Sequence, residues 1–178
     1  MKKMIAMLLA LVLVMGLVAC GNTTDAKDTT AAKAENLTGT LEEVIAAIQE
    51  KHAAMELPLM SMAMDLTDLD GLTYNTGLTS ADKISEAAIC EPMMGQPFSL
   101  VLVRVKDAAD AESVAKEMLE KIDNRKWVCM EADTEIAAYY GDVAMFFMVS
   151  SEFASQVTTA TMMDAFKAVC GGTVNEVA

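Results

Sequence analysis

The sequence predicts an α+β fold, a mostly antiparallel sheet of about four to six strands with two or three packed helices. Three observations predict it. Apolar residues recur at helical spacing over 41–54 and again over 111–122, while the stretches between and after them alternate with period two or are apolar throughout. Gly141-Asp142 separates two apolar runs as a two-residue hairpin turn does, with a positive φ wanted at the glycine. The resulting order of helix, strand, two strands, helix, three strands, helix keeps helices on a sheet rather than alternating strictly with strands.

The first helix is announced by Thr40 with Glu43, a capping box, after which Leu41, Val44, Ile45, Ile48, His52 and Met55 fall on one face. Over 58–66 the period becomes two: Pro58, Met60, Met62, Met64 and Leu66 share one side, opposite Leu59, Ser61, Ala63 and Asp65, so a strand is expected with the methionines in the core. Residues 67–80, with Asp70-Gly71 and Thr76-Gly77, read as turns. Strands follow at 84–91 and 98–106; the second is apolar on both faces until Arg104 and therefore central. Asp107 caps the next helix, whose stripe is Ala111, Val114, Ala115, Met118, Leu119 and Ile122, with the pairs Glu112–Lys116 and Glu117–Lys121 outside. A short strand is expected at 126–130, then the hairpin 134–140 and 143–150. A last helix over 152–170 is weakened by Val157, Thr158, Thr159 and Thr161 and stopped by Gly171 and Gly172. Because 143–149 is apolar on both faces, either helices cover both sides of the sheet or one side meets a partner.

Ahead of this domain the chain carries an address. Met1, Lys2 and Lys3 form a positive end, and an apolar run from Met4 to Ala19 follows, too short to span a bilayer, which wants about 20 residues. The sequence Leu17, Val18, Ala19, Cys20 resembles the lipobox of bacterial lipoproteins. That resemblance implies a signal peptide over 1–19, cleavage before Cys20, and a diacylglyceryl lipid on its sulfur as membrane anchor, with no other cofactor. Residues 21–36 hold threonine, alanine and alternating charge with no large apolar side chain, so 20–37 is read as the lipidated cysteine plus tether and 38–178 as the folded domain.

The chain has 13 basic and 26 acidic side chains, a net charge of −13 over 178 residues; losing Lys2 and Lys3 with the leader leaves 11 against 26, or −15. A surface this acidic repels phosphate backbones, which argues against nucleic acid, and it also repels anionic head groups. Cationic peptides and divalent ions are compatible with it.

The segments ISEAAICEPMMGQPFSLVLVRVKD (84–107) and AADAESVAKEMLEKIDNRKW (108–127), the hairpin YYGDVAMFFMVS (139–150), Ala165-Phe166 and the lipobox together resemble small lipoproteins of Gram-positive, Firmicute-type anaerobes with a C-terminal domain of unknown function. The resemblance covers most of the domain. It implies location and fold, and no site residues.

Candidate chemistry is sparse. Twelve methionines remain after the leader, and Met60, Met62 and Met64 have a spacing that presents three thioethers to Cu(I), although thioethers also fill cores. Asp65, Asp68, Asp70 and Gly71 hint at a calcium loop, but an EF-hand with Gly71 sixth has Leu66 first and Gly77 twelfth, which fails at both ends. Cys90, Cys129 and Cys170 are left over from lipidation, an odd set that permits at most one bridge, Cys90–Cys129 being the pairing considered against reduced, buried thiols. His52 is the sole histidine. Ser80–Lys83 and Ser113–Lys116 match SxxK without its companion motifs, and GxSxG, HExxH and phosphate-cradling glycine loops are absent. The reading is a non-enzymatic, membrane-anchored extracytoplasmic binding or accessory module that meets a protein or peptide, or a second copy of itself. Copper or calcium handling is the alternative, followed by an unrecognised hydrolase using Cys90 or His52.

Overall fold

A computed structural model describes residues 35–52, 57–152 and 156–178. The expected leader, Cys20, the tether up to residue 34, and Met55 lie outside the described residues.

The first helix, α1 (Leu41–Lys51), begins as the sequence implies: Thr40 Oγ1 accepts the Glu43 N–H at 3.3 Å and Glu43 Oε2 accepts the Thr40 N–H at 3.0 Å. It buries Leu41, Val44, Ile45 and Ile48 and closes at His52. Strand β1 (Leu59–Ala63) follows, and then helix α2 (Leu69–Thr76) where turns were expected. Asp68 Oδ1 caps α2 by accepting the Gly71 N–H, and Gly77 ends it at φ +74°. A Cβ on Gly77 would come within 2.7 Å of the backbone of Lys121 and Ile122, so the glycine also lets this turn seat against the end of another helix.

Strands β2 (Ile84–Pro92) and β3 (Phe98–Val105) match their expected positions. A 3₁₀ turn (Ala108–Asp110), capped by Asp107, leads into α3 (Ala111–Lys121), which buries Ala111, Val114, Ala115 and Met118. Strands β4 (Thr134–Tyr140) and β5 (Val143–Val149) form the hairpin, with Gly141 at φ +55° as the turn requires. The last helix, α4 (Thr159–Cys170), starts seven residues later than the sequence suggests, because the threonines that lower propensity inside a helix serve here at its start: Thr158 and Thr161 cap each other. A three-residue strand, β6 (Asn175–Val177), escaped the sequence reading.

All six strands form one antiparallel sheet in the order β1-β2-β3-β5-β4-β6. With four α-helices this is the α+β class. The question raised by β5 is answered in favour of helices on both sides. Leu100, Leu102, Met145 and Phe147 pack with α1 and α4 on one face; Val101, Val103, Phe146 and Met148 pack with α2 and α3 on the other. Every residue of β5 is buried, and each large side chain so covered contributes about 1.5–3 kcal/mol.

The expected strand at 126–130 is a loop. Lys126 and Trp127 are its buried anchors and Val128 is fully exposed, an arrangement that breaks alternation. Order also begins earlier than residue 38. Arg104 donates from Nη1 to Leu37 O at 2.7 Å and from Nη2 to Gly39 O at 2.8 Å, and Gly141 has no room for a Cβ because Glu35 O lies where it would go.

Candidate functional site

Unusual chemistry gathers at the end of the sheet that carries β1, the close of β2 and the start of β3. Glu91 and Ser99 face the α2/α3 side there, where the core otherwise gives out, and the loop after α3 inserts Lys126 between them. Its Nζ lies 2.6 Å from Glu91 Oε1, 3.2 Å from Ser99 Oγ and 3.3 Å from Asn75 Oδ1 of α2. It also stands 5.6 Å from the Tyr74 ring centre and 5.4 Å from that of Trp127, and Tyr74 O–H donates to Lys126 O at 2.8 Å. The lysine side chain is 1% exposed. Burial pulls its pKa below the usual lysine range, while Glu91 pulls it back up. Ser99 is fully buried, so this serine and lysine hold a loop in place; no substrate carbonyl reaches the hydroxyl.

The strand at 58–66 is present in shortened form, but the placement of its methionines is corrected. Met60 is 44% and Met62 49% exposed, and only Met64 packs partly into the α2/α3 core. The reason is position: β1 is an edge strand of the sheet and pairs with β2 alone. Met60 lies across from Glu91 and Met62 across from Ile89. Met93 and Met94 in the following turn, with Met130 in the Lys126 loop, are exposed as well.

The acidic turn is taken up by local structure. Asp65 Oδ1 accepts the N–H and O–H of Thr67 at 2.8 and 2.7 Å, Asp68 caps α2, and Asp70 stands in the helix's first turn. Among the described residues no three His, Cys, Asp or Glu side chains gather as a metal site.

All three cysteines are free thiols. Cys90 is buried on the α1/α4 side, whereas exposed Cys129 belongs to the loop whose Trp127 packs on the opposite side, so the considered bridge is not formed. Burial pushes the Cys90 thiol up, with Ser61 and Gln49 hydrogen bonds partly opposing, and pushes Cys170 up to about 12. Both stay protonated, the opposite of an activated nucleophile. His52 is buried with Nε2 2.9 Å from Thr161 Oγ1 of α4, and burial lowers its pKa.

Lys116 pairs with Glu112 at 2.7 Å and Lys121 with Glu117 at 3.4 Å, as expected of surface pairs. Lys83 pairs with Asp110 at 2.8 Å and donates to Ser113 Oγ at 3.3 Å; Asp110 raises the pKa of Lys83 and Glu112 raises that of Lys116, so the lysine of each SxxK match is held in its charged form, unsuited to act as a base. A cavity of about 210 Å³ beside Lys83 is lined by Leu78, Thr79, Ser80, Asp82, Ile84 and Val114 among others, and it gathers no convergent catalytic set.

The Lys126 cluster had no signal in the sequence, since Asn75, Glu91, Ser99 and Lys126 come from four separate elements. No helix among the described residues is long and apolar enough to cross a membrane. No protein-family model, curated protein or solved structure matches this chain.

Proposed function

We propose that this chain is a lipoprotein anchored by lipid at the extracytoplasmic face of the cell membrane, whose domain is a non-enzymatic binding module taking an extended cationic peptide as an added strand along β1. One observation carries the reading: helices cover both faces of the sheet, which leaves its edges, and β1 with five residues offers a longer edge than the three-residue β6. Met64 N–H donates to Ala87 O at 2.8 Å, so by antiparallel alternation Met60, Met62 and Met64 bond to β2 while the peptide groups of Ser61 and Ala63 point away. Leu59–Ala63 holds neither charge nor proline, the usual means of blunting an edge. An incoming strand gains main-chain hydrogen bonds there, and the exposed, pliable methionines beside it accommodate varied side chains. The mature charge of −15 selects for a basic partner. The lipobox at 17–20 and the likeness to small Gram-positive lipoproteins support the address.

Two experiments test it. Palmitate label is expected on the wild-type chain and lost with Cys20→Ala, which also releases the protein from membranes; equal retention of the variant overturns the anchor. With a Cys20→Ser chain, basic extended peptides are expected to bind more tightly than acidic ones of equal length and to slow amide exchange at Ser61 and Ala63. Ala63→Pro removes an outward N–H while sparing the bonds to β2, and should abolish binding. Equal binding by that variant overturns the edge reading.

A further inference from the structure

We infer that Met60, Met62 and Met64 form a surface site for a soft monovalent cation, chemically Cu(I). Core filling explains a methionine that is buried, and this explanation fails for Met60 and Met62, which stand 44% and 49% exposed on an edge strand. Exposed Met60 and Met62 leave apolar surface in water for no packing gain, whereas polar residues would serve an exposed strand face better. Met60 and Met62 pair with Glu91 and Ile89 and so project to the α2/α3 side, about 6.6 Å apart along the strand, and Met64, one residue past β1, packs against the core on that same side. Thioether side chains turn about three bonds, so neighbouring sulfurs can converge on one ion without movement of the backbone. Met64, held partly in the core, gives the set one fixed member.

Charge and ligand type narrow the ion. Thioethers are neutral, soft donors that favour Cu(I) and bind calcium, magnesium or zinc poorly. The ammonium of Lys126 is compensated by Glu91, the residue across from Met60, and the acidic chain as a whole attracts a cation. The site shares its methionines with the peptide edge but differs in the atoms it needs: an ion takes thioether sulfurs, whereas the main-chain bonds of strand addition use backbone groups of Ser61 and Ala63 in the plane of the sheet.

The test uses the mature chain with Cys20→Ser and Cys129→Ser, because accessible cysteine sulfurs would outcompete thioethers. Competition against a chromophoric Cu(I) chelator is expected to give one Cu(I) per chain, weakened at least tenfold by Met60→Leu/Met62→Leu/Met64→Leu, a volume-conserving change. Ag(I), a redox-inert soft cation, should shift the ¹³C ε-methyl resonances of those three methionines in the same Cys20→Ser, Cys129→Ser chain with its methionines intact. Unchanged affinity in the triple variant, or silver shifts confined to Met93, Met94 or Met130, overturns the inference. Ala63→Pro should bind Cu(I) normally, so loss of the peptide edge and loss of the metal site are told apart.

Discussion

Arg104 Nε lies 3.0 Å from Glu86 Oε2, and the other oxygen of that carboxylate accepts the backbone N–H of Leu41 at 2.6 Å, so one ion pair joins β2 and β3 to the first residue of α1. Arg104 also reaches Asp142 at 3.0 Å in the hairpin turn. Replacing Arg104 with Ala leaves buried Asp142 and partly buried Glu86 without their shared cation and frees the chain ahead of α1. The expected loss is about 3 kcal/mol, read by urea denaturation, with fast proteolysis before Leu41. Unchanged cleavage in that segment would contradict the anchoring role.

Lys126→Ala should cost less than Arg104→Ala, since Glu91 loses its buried cation but keeps 28% of its side chain in water, while the loop that carries Trp127 is released. Lys126→Met with Glu91→Gln removes both charges at similar volume. Most of the stability should return in the pair, and a double-variant cycle gives the coupling.

The pH profile should carry the mark of His52. Burial lowers its pKa from the ordinary 6.5, so the unfolded chain takes up a proton before the folded one does. Stability therefore falls as pH drops below about 6.5 and stops falling, as far as this group is concerned, once the lowered folded value is passed. Thermal midpoints of wild type and His52→Gln measured from pH 8 to pH 4.5 should converge toward the acid end; parallel curves would remove His52 as a cause.

Thiol titration of a Cys20→Ser chain should give one fast cysteine, Cys129, and two that react only on denaturation, Cys90 and Cys170. Fast reaction at two sites would mean that the α1/α4 side opens readily.

How much of this is legible from residues alone depends on the range of the interaction. α3 is written in a stripe of local spacing, and the β4–β5 turn in Gly141, because each needs only its neighbours in the chain. α2 is hidden by Gly71 and by threonine and asparagine of modest propensity; what makes it helical is Asp68 at one end and burial of Leu72. The alternation over 58–66 announces a strand, yet which side of it meets water follows from its place at the edge, a fact about the whole sheet. For the same reason the methionine face reads as core. The Lys126 cluster is more remote still: four elements supply it, and the sequence around Lys126 shows only an apolar-looking KWVCM.

The clasp that Arg104 makes on the carbonyls of Leu37 and Gly39 has a mechanical consequence. A load applied through the chain ahead of Leu37 would reach those two peptide groups and pass through the guanidinium into β3, an interior strand flanked by β2 and β5. Tension is thus shared across paired neighbours, and the border strand β1 is not the one peeled away first.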